Sequence, residues 1–387
     1  MHRAAIVGIG TTQYYRRGES LPRTPRDMAC DAIIAAAADA GIPVKAIDGF
    51  AYFSNYGGGI ETGGLIESLG IPEVGFSAST TGGGGGSAGA IGLAQAAIAN
   101  GDSRYVAVVQ SLQQAKSRFG AAFARMLPTP DNSFYRSAGV GAPGHFAALI
   151  ARRHMHKYGT RREAFAEVAI STRLNASTNP AALMRQPITL DDYFASRMIA
   201  DPLCKLDFCL ETDGAVAMIV TAADVARDMA QKPAYIAACK HGGDRNWGRG
   251  FMWGNMPDEY FSSSGQRSIA RRLYAAADLR SGDIDVALLY DHFTPFVVMQ
   301  LEDFGFCPVG EGGPFVEQGA IRLRGGSIPV NPHGGNLSEA YIVGITHVVE
   351  GVRQIRGTAI NQVADVSHAL ISGGPGPMPL SGLILST

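Results

Sequence analysis

Short apolar runs alternate with longer, alanine-rich stretches through much of this chain. Residues 4–9 are apolar and end in a glycine-containing polar turn, the pattern of a buried strand. Residues 25–40 follow as a helix opening on a proline, and residues 48–53 and 74–78 read as strands. Two threonines, Thr80 and Thr81, and the run Gly82–Gly86 then lead into an apolar helix over residues 87–99. Residues 105–110, YVAVVQ, form another buried strand. This alternation predicts a parallel sheet covered by helices.

The pattern changes between about residues 112 and 200, where methionines, arginines and loop-like segments concentrate. We read this stretch as a helical insertion, with helices over 143–158 and 161–174. A buried strand returns at 213–220. The second half then repeats the first: strand 232–240, helix 268–276, strand 286–290, helix 294–304, one long helix over 335–356, and a last strand region at 367–372. Each half places a glycine-rich turn before a helix, which points to an internal duplication with halves 1–225 and 226–387.

Composition narrows the function classes. The 387 residues carry a formal net charge of −1, which gives no reason to expect nucleic acid or an anionic membrane. The five cysteines are scattered and odd in number, and Cys204 and Cys209 lack zinc-finger partners, so neither a disulfide framework nor a metal site is expected. The N-terminal apolar stretch is too short for a signal peptide or a span, so a soluble, cytoplasmic setting is expected.

Four places carry chemistry. The junction Thr80–Gly86 puts free N–H groups at a helix start, suited to an anion or a developing oxyanion, although close helix–sheet packing explains the glycines equally. Tyr290-Asp291-His292 lies at the end of a buried strand, where α/β sheets bind ligands. In the segment from Asn331 to Gly344, His333, Gly335 and Tyr341 sit beside or within the start of the long helix, a location that lowers a phenol's pKa. Ser372-Gly373-Gly374 follows the last strand. Arg245, Arg249 and Lys116 lie in loops able to meet phosphates.

The stretches DPLCKLDFCLETDGAVAMIV, YDHFTPFVVMQLEDFGFCPVGEGG and NPHGGNLSEAYIVGITHVVEGVRQIRG resemble the thiolase superfamily, in particular its lipid-transfer-protein type, and the resemblance covers nearly the whole chain. It implies an α/β, thiolase-like duplicated α-β-α-β-α five-layer fold with a helical loop insertion. It also exposes departures. Gly84 stands near the family's nucleophilic cysteine, and residues 77–99 contain no cysteine at all. Ser372 replaces the second cysteine, Tyr341 the catalytic histidine, and Tyr290 an asparagine or histidine. The acyl-enzyme route is thereby closed, and a substitute nucleophile at Thr80 or Thr81 has no evident base.

A branch of thiolase-like aldolases has these departures, and the resemblance implies its chemistry. That chemistry is retro-aldol cleavage of a branched β-hydroxyacyl-CoA, such as a steroid C22 side-chain thioester, to a 17-ketosteroid and propionyl-CoA. Coenzyme A enters as part of the substrate, with no covalently bound cofactor. Tyr341 is expected as acid/base, helped by Tyr290 and His292. His333, Asn331 and Gly335 are expected to orient tyrosines or bind substrate, and Gly84, Gly85, Ser372 and Gly374 to contribute an oxyanion site. A homodimer, joined by a small OB-fold/zinc-ribbon partner into a heterotetramer, is implied. A cysteine-independent acyltransferase ranks second, and a non-catalytic lipid-binding subunit third.

Overall fold

The computed structural model describes residues 4–53, 60–80, 82–114, 118, 120, 130–244, 258–376 and 379–387. Thr81, Lys116, Arg245 and Arg249 lie outside them. Twelve strands are described: β1 (Ala4–Thr11), β2 (Tyr15–Arg16), β3 (Gly49–Phe53), β4 (Phe76–Thr80), β5 (Val106–Leu112), β6 (Met198–Ala200), β7 (Leu203–Cys204), β8 (Thr212–Ala222), β9 (Ala234–Gly242), β10 (Val286–Leu288), β11 (His368–Gly373) and β12 (Leu380–Ser386).

The large sheet runs β10-β11-β12-β9-β1-β8-β5-β3-β4. Among the described residues, its two halves pair only where Ala5 and Ile6 of β1 meet Tyr235 and Ala234 of β9. The sheet is mixed rather than parallel. β3 pairs in parallel with β4 and β5, and β10 with β11, but β8 runs antiparallel to both β5 and β1. β12 was not anticipated as a strand. It returns against β11 after a short connection, and so tight a link permits only antiparallel pairing.

Three apolar cores give the layering. One lies between the half-sheets and joins the helix Gly86–Asn100 and the helix Thr346–Arg356 to strands of both halves. A second packs α1 (Pro25–Ala40) on the outer face of the first half. A third packs the helices of the second half and of the insertion on the opposite outer face. Helix, sheet, helix, sheet, helix is the five-layer order. α1 starts where expected because Thr24 and Asp27 form a reciprocal capping box ahead of Pro25, and it stops at the left-handed Gly41.

The insertion contains the helices Pro143–Tyr158 and Arg162–Ser177, and also Pro130–Ser137, which the sequence reading took for loop. One further expectation fails. The stretch 335–356 is not one helix. A single π-type turn, Gly335–Glu339, is followed by extended and turn residues, and the α-helix begins only at Thr346. Ala340 is extended at φ −165°, and Val343 and Gly344 both have positive φ, which no continuing helix allows. Tyr341 therefore lies in the break and not in a helix's first turn.

Candidate active site

Two segments bring the tyrosines together. β10 ends at Leu288 and delivers Tyr290 beyond its carboxyl end, and the break after the π-turn delivers Tyr341. Their hydroxyl oxygens are 3.1 Å apart, a hydrogen bond between residues 51 positions apart in sequence. Tyr341 is 6% exposed and Tyr290 only 2%.

Each tyrosine is fixed through its backbone. The Thr212 hydroxyl accepts the Tyr341 N–H and donates to the Tyr341 carbonyl, each at 2.9 Å. The Ser372 hydroxyl accepts the Tyr290 N–H at 2.8 Å and donates to Gln300, whose amide in turn donates to the Tyr290 carbonyl at 2.9 Å. The Asn331 side chain accepts from the Leu289 N–H and donates to the Leu289 carbonyl, both at 2.8 Å, and so extends the ladder of β10 by one residue. Ser372 and Asn331 thus hold Tyr290 in place with the polar groups that were expected to meet substrate. Thr212 and Gln300 are the site residues that sequence reasoning missed. Thr212 lies one residue ahead of the strand read over 213–220 and Gln300 within the helix read over 294–304, with nothing in their spacing to mark either.

The glycine turn supplies the space. A Cβ on Gly84 would lie 2.3 Å from both Cζ and Oη of Tyr290. The Tyr290 phenol therefore occupies the room that a side chain at position 84 would need. Gly374, at φ +46°, presses against the same turn, where its Cβ would come within 2.2 Å of the Gly85 nitrogen. The Gly85 N–H itself donates to Gly82 O at 3.1 Å.

The histidines take different places. The His292 ring stacks on Phe296 at 5.0 Å and stands 5.1 Å from the Tyr290 ring. Burial pushes its pKa down to about 3, so it flanks Tyr290 as a neutral ring. His333 is buried beside His347, at 4.9 Å between rings, with Nε2 3.9 Å from a Glu339 carboxylate oxygen. Burial holds it well below the ordinary histidine range. Gly335, at φ +56°, lies against Asp291.

A cavity of about 990 Å³ opens onto Tyr341. Leu183, Phe208, Cys209, Leu210, Phe293 and Leu337 make an apolar wall, and Arg16, Arg17, Arg118, Arg197 and Lys205 also line it. Tyr290, His292 and His333 are not among its lining residues, so Tyr341 presents the pair to whatever enters.

Burial raises both phenols' pKa, with the Tyr341 charge a further cause at Tyr290. The helix N-terminus that was to lower the Tyr341 pKa is absent, because the helix begins five residues later. Both phenols are protonated at neutral pH, and the pair can pass a proton along its hydrogen bond rather than act as a standing phenolate.

Behind the π-turn, burial raises Glu339 to about 8 and Glu350 to about 7. Asn179 donates to Glu339 at 3.0 Å. The unfolded chain releases these protons near pH 4.5, whereas the folded chain holds them, so stability falls as pH rises from about 5 to about 8. We expect a higher melting temperature at pH 5.5 than at pH 8.5. Glu339→Gln should flatten that slope by on the order of 1 kcal/mol or more. A melting curve whose pH dependence is the same in the variant would remove Glu339 as its source.

The sequence and the fold have known relatives. A family model described as thiolase C-terminal domain-like matches residues 252–386. The chain is 38% identical, over 99% of both sequences, to a 17-hydroxy-3-oxo-4-pregnene-20-carboxyl-CoA lyase of Mycobacterium tuberculosis. It is 37% identical to a steroid side-chain-cleaving aldolase of Thermomonospora curvata, over 99% of this chain and 97% of that one. A solved Ltp2-ChsH2(DUF35) aldolase superimposes with a TM-score of 0.91 at 36% identity, covering 100% of this chain and 98% of that one. Human mitochondrial 3-ketoacyl-CoA thiolase, at 15% identity and a TM-score of 0.72 over 100% of this chain and 99% of that one, shares the fold alone. A chain with this fold, with no cysteine at Gly84 and the Tyr290 phenol in that space, belongs to the thiolase superfamily, in its lipid-transfer-protein-type aldolase branch, and is a carbon–carbon lyase.

Proposed function

We propose that this lyase cleaves a branched β-hydroxyacyl-CoA by a retro-aldol step in which Tyr341, hydrogen-bonded to Tyr290, moves the proton. The observation that carries the reading is the 3.1 Å contact between their hydroxyls at the end of the cavity, with no thiol at Gly84 and with the nearby Cys209 thiol kept protonated by burial. The β-hydroxyl proton passes to the Tyr341 oxygen as the Tyr341 proton passes to Cα, while the Tyr290 hydroxyl, 3.1 Å away, holds that oxygen by a hydrogen bond. The Cα–Cβ pair becomes the enolate and then the new Cα–H bond, while the carbinol carbon becomes a ketone. No net proton is gained or lost, so two high-pKa phenols suffice. Backbone N–H groups at Gly84 and Gly374 are the donors we assign to the enolate oxygen, and His292 flanks Tyr290 as a neutral group.

The substrate we assign is a steroid C22 side-chain thioester of the 17-hydroxy-3-oxo-pregnene type, giving a 17-ketosteroid and propionyl-CoA. The names of the two close relatives and the apolar cavity wall support it. The lining cations suit the phosphates of coenzyme A. Reversing charge at Arg197 and Lys205 together should raise KM for the thioester about tenfold and leave kcat in place. An unchanged KM would move the phosphates elsewhere.

Assembly is assigned on similar grounds. The solved aldolase bears the name of a DUF35 partner, which supports a small OB-fold/zinc-ribbon partner here. β4 ends the large sheet with one edge open among the described residues, which suits pairing of two copies and a heterotetramer with the partner. The decisive experiment incubates the protein, with its partner, with the steroid thioester and analyses products by mass spectrometry. Ketone and propionyl-CoA in equal amounts support the reading. Acyl transfer to a thiol acceptor, or covalent acylation of the protein, would replace it with the acyltransferase alternative.

A further inference from the structure

The tyrosines come from different segments, yet one buried carboxylate touches both. Asp291 follows Tyr290 directly and is fully buried. Its Oδ1 accepts the Asn336 N–H at 2.8 Å, and its Oδ2 accepts the Leu337 N–H at 3.3 Å, both from the π-turn that leads into Tyr341. His347, on the first turn of the following helix and also fully buried, places Nε2 3.1 Å from Asp291 Oδ1 and 2.9 Å from the Leu289 carbonyl. Both partners are acceptors, so the His347 proton sits on Nε2. Gly335 adds a steric requirement, since a Cβ there would lie 2.1 Å from Asp291 Oδ2.

We infer that Asp291 and His347 form a positioning clamp that sets the distance between the two phenols. The clamp ties the end of β10, the π-turn and the helix after the break to one point. Residues 340–345, which carry Tyr341, have no regular structure of their own and are held at both ends by this point. Neither clamp residue lines the cavity, and neither is assigned contact with substrate. A shift of about 1 Å between reacting groups costs on the order of 100-fold in rate, which is the size of effect a loosened clamp should have. Asp291→Asn nearly preserves shape, but it replaces one acceptor oxygen by an amide that cannot receive an N–H. One of three donors is left facing another donor.

The inference rests on the reading of Tyr290 and Tyr341 as the proton-handling pair, and the test separates the two. Steady-state cleavage of the steroid thioester is measured for Asp291→Asn, His347→Leu and His347→Gln, each alone and each combined with Tyr341→Phe. Melting temperature and thioester binding are followed in parallel. We expect Asp291→Asn and His347→Leu to lower kcat about 100-fold with KM within about twofold of native. His347→Gln, whose amide can still donate to Asp291, should recover most of the loss. None of the clamp variants should lower the residual turnover of Tyr341→Phe further, because the clamp acts through that hydroxyl. Native kcat in Asp291→Asn, or a full additional loss in the Tyr341→Phe background, overturns the clamp while leaving the tyrosine pair standing. Native turnover in Tyr341→Phe alone overturns the pair and the clamp with it. Should Asp291→Asn not fold, the two His347 variants carry the same comparison.

Discussion

Tyr341→Phe is expected to lower the cleavage rate by about 1,000-fold while the protein folds and binds thioester as before. The hydroxyl is hydrogen-bonded to Tyr290, and the Tyr341 backbone is held separately by Thr212, so removing the oxygen leaves the segment in place. The ring remains and still closes the cavity against the apolar wall. What goes is the atom that receives the β-hydroxyl proton and passes its own to Cα. Tyr290→Phe should lose a similar factor, because it removes the hydrogen bond that holds the Tyr341 hydroxyl in line. The double variant should be little worse than either single one, as for residues that act as a unit. Turnover of the purified variants against a steroid thioester, with binding followed by calorimetry, measures this. A Tyr341→Phe enzyme at more than a tenth of native rate would assign the proton to another group.

Gly84→Cys, the change that brings back the family's thiol at this place, should not restore acyl transfer and should damage the protein. The added Cβ meets Tyr290 at 2.3 Å, and the neighbouring turn offers little room to move, since a Cβ on Gly85 would press to 1.6 Å from the Pro379 carbonyl. Overpacking of this kind costs about 1–3 kcal/mol, and the displaced phenol can no longer reach Tyr341. We expect a lower melting temperature, loss of cleavage by about 100-fold or more, and no acyl adduct by intact-protein mass spectrometry after exposure to acyl-CoA. The strain belongs to the pair Gly84 and Tyr290, so Gly84→Ala should cost much less stability in a Tyr290→Ala background than in the native one. Equal costs in both backgrounds would show that Tyr290 does not fill this space. The same geometry explains why the missing cysteine and the extra phenol occur together, since one volume holds only one of them.

Much of the fold was legible because burial leaves a period in the sequence. Residues 4–9 and 105–110 are apolar on both faces, as strands between helix layers must be, and α1 carries its start and stop signals in Thr24, Pro25, Asp27 and Gly41. The break in 335–356 was hidden because its residues are as buried and apolar as a helix core, while the positive φ at Val343 is imposed by packing rather than by residue type. β12 escaped because its apolar run merges with the preceding turn, and the antiparallel pairing of β8 escaped because strand direction depends on where the insertion returns the chain.

The site divides in the same way. The sequence by itself determined the inventory: two tyrosines and no cysteine at the places where this superfamily carries its acid/base and nucleophile, on a duplicated α/β scaffold. Tertiary structure alone decided how those groups are used. It sets 3.1 Å between hydroxyls 51 residues apart, turns Ser372 and Asn331 into supports for Tyr290, keeps His292 neutral, and gives Tyr341 the cavity. Residue types survive in the letters of a chain, whereas distances, burial and the resulting proton affinities exist only once remote segments share one low-dielectric space.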